Sequence, residues 1–151
     1  ATRGFLGGSL TGEIGERYFA LAGFGRTNLK DYFNLNFDPN DMVLLHMDFH
    51  RRCYGTEGYL TDFPGLTKES ASWLGRKKIK MFGVEGVSPG RPGRNNFEVH
   101  HVCRDMGFTH VEGLVGMEQL VGKGRFKFIG FPLKIRGGTG SPIRAVAMLA
   151  D

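Results

Sequence analysis

A chain of 151 residues with 40% hydrophobic and 23% charged residues fits one domain and can bury a core without covalent staples. The net charge of +5 is dispersed in short groups (Arg51 and Arg52, Arg76 to Lys78, Arg91 and Arg94), which argues against a nucleic-acid-binding stripe. No apolar run approaches the roughly twenty residues of a membrane span. Cys53 and Cys103 make neither a disulfide framework nor a CxxC motif, so a reducing compartment is expected, the cytoplasm or an organelle matrix. The first residues, ATRGFLGG, lack an initiator methionine and a signal-peptide profile, so Ala1 is expected to follow processing or to lie within a longer chain.

Residues 1–40 are rich in Gly and Phe with weak periodicity and read as an arm, with a short helix around Glu16 to Leu21. Asp38 to Asp41 is a turn signal, and the apolar run Met42 to Met47 predicts a buried strand. Pro64 and Gly65 turn the chain into a helix that Thr67 can cap. Leu66 and Ala71 are placed as a hydrophobic staple, Trp73 and Leu74 supply the apolar side, and Gly75 ends it beside Arg76 to Lys78. Ile79 to Gly86 predicts a second strand. Ser88 to Asn96 reads as a loop in which Asn95 or Asn96 caps a helix from Phe97 to Met106. Gly107 breaks that helix, and a strand follows from Phe108 to Leu114. A helical turn is expected around Met117 to Val121, then a strand from Arg125 bending near Pro132. Gly137 to Pro142 turns the chain into a last strand from Ile143 to Ala150. Alternating helices and strands that close on consecutive strands predict a single mixed α/β domain over residues 1–151, without repeat or linker.

At 100° per residue, Val99, Val102, Cys103 and Met106 form one apolar stripe of the helix from Phe97. His101 faces away from the stripe, whereas His100 lies on its flank and can reach a cleft at the core's edge. In the following strand a two-residue period puts Phe108, His110 and Glu112 on one face. A half-buried glutamate there needs a partner, either a cation or a histidine. The plain alternative is a surface histidine and a glutamate paired with an arginine. His46, Asp48 and His50 also alternate, but strand side chains two apart lie about 7 Å apart along the axis, too far to share one ion. A solvent-facing strand end beside Arg51 and Arg52 is the expectation there. The Gly137 to Pro142 turn lacks a phosphate-binding lysine and leads into a strand. Cys103 sits on the apolar stripe, where burial disfavours the thiolate a nucleophile needs.

In order, DMVLLHM (Asp41 to Met47), a helix ending ASWL (Ala71 to Leu74), IKMFGVEGVS (Ile79 to Ser88), H-x11-E from His100 to Glu112, and FPLKIRGGTGSPIRAVA (Phe131 to Ala147) resemble the cyclase family of metal-dependent hydrolases. The likeness runs from about Asp41 to the C-terminus. It implies a swivelling β/β/α-type domain of mixed sheets with its N-terminal part missing. It also implies a divalent zinc or manganese ion, and hydrolysis of an amide bond in a small aromatic or cyclic substrate by water that the cation activates. By the same resemblance His100 and Glu112 belong to the metal site, and the loop from Glu85 to Pro89 lines the pocket. The family's HxGTHxDxPxH motif, source of its remaining ligands and its proton-donating histidine, is not in this sequence; the nearest echo is His46-x3-His50. Two expectations follow. The chain is the C-terminal portion of a hydrolase that takes a small-molecule substrate, its other ligands coming from an N-terminal segment or a partner chain. Alternatively, it is a non-catalytic structural subunit whose arm docks on a neighbour. Both imply a homo-oligomer or a larger assembly.

Overall fold

The computed structural model describes residues 18–22 and 39–149. Four parallel strands, β1 (Tyr18–Ala22), β2 (Met42–His46), β3 (Met81–Val84) and β4 (Thr109–Val111), form a sheet in that order. Met42 stands opposite Tyr18 on one side and Met81 on the other. Every residue of β2 is buried, the pattern of a parallel strand covered on both faces. Parallel neighbours need long crossovers, and helices fill them. Between β2 and β3 lie α1 (Phe49–Cys53), a 3-10 turn (Glu57–Tyr59) and α2 (Lys68–Arg76); between β3 and β4 lies α3 (Arg94–Met106).

Side-chain alternation along β2 splits the core in two. Val43 and Leu45, with Phe82 and Val84 of β3, pack under the helices against Ala71, Leu74, Val99, Val102 and Cys103. Met42 and Leu44 face the other way, onto Leu114, Met117 and Phe126. An antiparallel hairpin of β5 (Lys127–Pro132) and β6 (Ile143–Met148) covers that side with Phe128, Ala145 and Ala147. Helices, parallel sheet and hairpin thus stack as layers of a mixed α/β fold with parallel and antiparallel sheets, as expected. Burying a side chain the size of Phe82 stabilises the fold by roughly 1.5–3 kcal/mol, so these two faces supply most of the driving force.

Local signals held where a side chain acts on its own turn. Thr67 Oγ1 accepts from the Ser70 amide at 3.2 Å and Ser70 Oγ accepts from the Thr67 amide at 2.9 Å, closing a capping box. Leu66 and Ala71 are both buried beside it. The helix runs one residue past Gly75, and the left-handed turn falls on Lys78 (φ 58°). Gly107 ends α3 in the left-handed conformation (φ 75°), one that side chains with a Cβ resist.

Other expectations gave way to tertiary partners. The stretch expected to be helical around Glu16 to Leu21 instead contributes β1, which pairs along β2; residues 16 and 17 lie outside the described residues. Part of the expected arm is therefore sheet, and the rest of residues 1–38 lies outside the described residues. Neither asparagine caps α3, whose N-cap is Gly93. Asn95 Nδ2 donates to the Leu66 carbonyl at 2.7 Å, while Asn96 Oδ1 accepts from the Gly90 amide at 3.0 Å. Asn95 fastens the start of α3 to the lead-in of α2, and Asn96 fastens it to the preceding loop. Met106 is exposed and not part of the buried stripe, its thioether lying across Gly75. The strands at 79–86 and 108–114 shrink to Met81–Val84 and Thr109–Val111, leaving Glu112 just beyond β4.

Candidate metal centre

Three segments meet beyond the C-terminal ends of β3 and β4, the edge where open parallel sheets bind ligands. The α3 helix carries His100, β4 and the residue after it carry His110 and Glu112, and the loop leaving β3 carries Ser88. His110 Nε2 lies 3.1 Å from Glu112 Oε1. Ser88 Oγ lies 3.3 Å from His100 Nε2 and 3.5 Å from Glu112 Oε1. The two imidazoles meet edge to face with centroids 5.0 Å apart, and Phe82 backs the His110 ring at 5.7 Å. One donor atom from each of His100, His110 and Glu112 falls within 4.8 Å of the others.

Burial pushes the His100 pKa below its ordinary 6.5; nearby His110 adds to this and Glu112 opposes it. His100 is therefore neutral at physiological pH, the form that offers a lone pair. Two nitrogens and one carboxylate oxygen are a donor set that zinc accepts, and tetrahedral bonds of about 2.1 Å put donors about 3.4 Å apart. The three donors would have to draw in from within 4.8 Å of one another to that spacing. The nitrogen that meets Glu112 is Nε2; the other, Nδ1, is buried with no hydrogen-bond partner among the described residues. The cluster fits a divalent cation on its chemistry.

The two residues the resemblance singled out, His100 and Glu112, are thus brought together. Sequence reasoning placed His110 on the face of Glu112 but did not select it. The two-residue strand period was the signal. Ser88 was not singled out; its signal was its position just past the end of a parallel strand. Among the described residues Glu112 is met by His110 and Ser88, not by the arginine of the plain alternative.

The second histidine group disperses. His46 is 6% exposed, not solvent-facing as expected, and its Nδ1 lies 3.0 Å from Glu85 Oε1. Glu85 Oε2 accepts from the amides of Met47 at 2.7 Å and Phe49 at 2.9 Å, fixing the turn at left-handed Asp48 (φ 55°). Asp48 binds Arg51 through both carboxylate oxygens, which holds its pKa below the usual carboxylate value. His50 lies 3.0 Å from the Tyr59 hydroxyl, its ring tilted against that of Tyr54. Three residues with three separate partners share no ion, in line with the spacing. Of the loop expected to line a pocket, Glu85 serves this turn and Ser88 reaches the cluster. Burial raises the Cys103 pKa to about 11, as its place on the stripe implied.

Parts of this chain are similar to known proteins. The Cyclase family model matches residues 26–91. An isatin hydrolase of Roseibium aggregatum is 29% identical over 119 residues, 72% of this chain and 45% of that protein. A kynurenine formamidase of Salinibacter ruber is 35% identical over 68 residues, 45% of this chain and 31% of that protein. The solved structure of a potential metal-dependent hydrolase with cyclase activity superposes with a TM-score of 0.71 at 19% identity, covering 90% of this chain and 65% of that one, a likeness of fold. The chain spans less than half the length of these two curated relatives.

Proposed function

We propose that the chain, similar over parts of its length to the Cyclase family model and to curated hydrolases, forms the C-terminal part of a metal-dependent hydrolase of swivelling β/β/α type. Its reaction is cleavage of an amide bond in a small aromatic or cyclic substrate. The observation that carries this reading is the convergence of His100 and Glu112, residues from separate elements, around Ser88 at the sheet's C-terminal edge. His100 and Glu112 would hold zinc or manganese, and the ion when bound supplies Lewis acidity that lowers the pKa of water and polarises a carbonyl. His100, kept neutral by burial, offers its lone pair without first losing a proton. Ser88 keeps His100 and Glu112 aimed at one point by sharing its hydroxyl between them.

While they hold an ion, neither His100 nor Glu112 is free to protonate a leaving amine. That proton donor, and the ligands of the absent HxGTHxDxPxH motif, come in this reading from further chain or from a partner subunit. The test is metal analysis of the full-length protein together with hydrolysis assays on isatin and on the formamide of kynurenine. About one zinc or manganese per chain with turnover of either substrate is expected; metal-free, inactive protein overturns the reading.

One observation favours the non-catalytic alternative. The outer face of the hairpin exposes Phe131, Val146 and Met148, a surface suited to a neighbouring chain. If the protein is such a subunit, it co-purifies with other chains and its melting temperature ignores chelators.

A further inference from the structure

We propose that His110 completes a three-donor site with His100 and Glu112, so that this chain binds one divalent cation without the upstream motif. The inference rests on the metal reading of the cluster but not on any hydrolase activity.

The resemblance that marks His100 and Glu112 gives His110 no role; its geometry does. Of the contacts in the cluster, that between His110 Nε2 and Glu112 Oε1 at 3.1 Å is the shortest. Consider the two neutral tautomers. With its proton on Nε2, His110 donates to Glu112, and Nδ1 keeps an unused lone pair in a buried setting. With its proton on Nδ1, that N–H is buried without an acceptor among the described residues, a cost the bound ion must offset, and two lone pairs, on Nε2 and Oε1, face each other at 3.1 Å. They repel unless something positive lies between them, and a divalent cation is what chelating nitrogen and oxygen at this spacing accept. His100 then closes the set from the other side, its ring edge to face with that of His110.

The ring is also held in place. Phe82, fully buried in the sheet, backs His110, and parallel pairing sets Phe82 opposite His110 between β3 and β4. A ligand fixed by its scaffold loses little freedom on binding, which favours affinity. Two imidazoles and one carboxylate leave a fourth position open, the arrangement of catalytic rather than closed structural zinc sites. Ser88 Oγ, 3.3 Å from His100 Nε2, faces the same space.

The 151-residue chain is titrated with Zn2+ by calorimetry and loaded with Co2+ for absorption and paramagnetic proton NMR. One ion per chain is expected, with two exchangeable imidazole N–H signals shifted by Co2+. His110→Ala is expected to weaken Zn2+ binding by about 100-fold, as is His100→Ala, and to leave one shifted signal. His101→Ala, on the exposed side of α3, is expected to bind as the parent does. A parent spectrum with a single shifted imidazole, unchanged affinity in His110→Ala, or no Zn2+ binding overturns the proposal. The parent spectrum counts ligands even if a variant fails to fold. An inactive full-length protein that still shows two shifted imidazoles would refute only the hydrolase reading.

Discussion

Burial tilts the balance at His100 against the proton. A histidine whose folded pKa lies below its unfolded value disfavours the charged form in the native state. Its contribution to stability is whole above 6.5 and is lost as pH falls through the lower folded value. A proton NMR titration of the metal-free chain is expected to put the His100 midpoint below 6.5. The melting temperature of His100→Gln should fall less steeply than the parent's on the acid side of that pH, and parallel curves would contradict the shift. Cys103 offers a second check at this scale. With a pKa of about 11, roughly one thiol in a thousand is ionised at pH 8. Thiol-reactive dye should therefore label one cysteine, the partly exposed Cys53, in the folded chain and both after denaturation. Rapid labelling of two would show that Cys103 is not held as described.

Among elements, the decisive contacts join segments far apart in sequence. Glu85, 1% exposed, ties the end of β3 to the turn between β2 and α1 through His46 and two backbone amides. Glu85→Ala strips the acceptor from those amides, and each orphaned buried donor costs about 1–3 kcal/mol. Urea unfolding should show a loss of at least about 2 kcal/mol, with Glu85→Gln losing less because one carbonyl oxygen remains. Equal losses would mean that the charge, not the acceptor, matters. Gly83 in β3 makes the complementary point: a Cβ there would clash with the side chains of Leu114 and Leu44. Gly83→Ala is expected to destabilise by about 1–3 kcal/mol through overpacking, read in the same unfolding experiment. Thr67→Ala, which opens the capping box at the start of α2, should cost about 1 kcal/mol.

Over the whole molecule, the layers are covered unequally. The parallel sheet is sealed by helices on one face and by the hairpin on the other, while the hairpin's outer side is open, with Phe131 75% exposed. An apolar face of that kind favours association. Sedimentation of the isolated chain should depend on concentration, and Phe131→Glu with Val146→Lys should reduce that dependence. Concentration-independent behaviour of the parent would indicate that the face is tolerated in water.

Much of this was legible along the chain. The apolar run at Met42 to Leu45, the Thr67 cap, the Gly107 break and the hairpin around Ser141 each depend on neighbours a few residues away, so local pattern determines them. The same reasoning put His110 and Glu112 on one face and His100 at the edge of its helix. Tertiary structure decided the rest. Tyr18 to Ala22 became a strand because β2 offered an edge, and Asn95 and Asn96 left their helix end for carbonyl and amide partners near Leu66 and Gly90. Ser88 reached His100, and His100 reached His110, only because a parallel crossover returns α3 over the sheet. Periodicity reports which way a side chain points; only the packed layers determine what it points at.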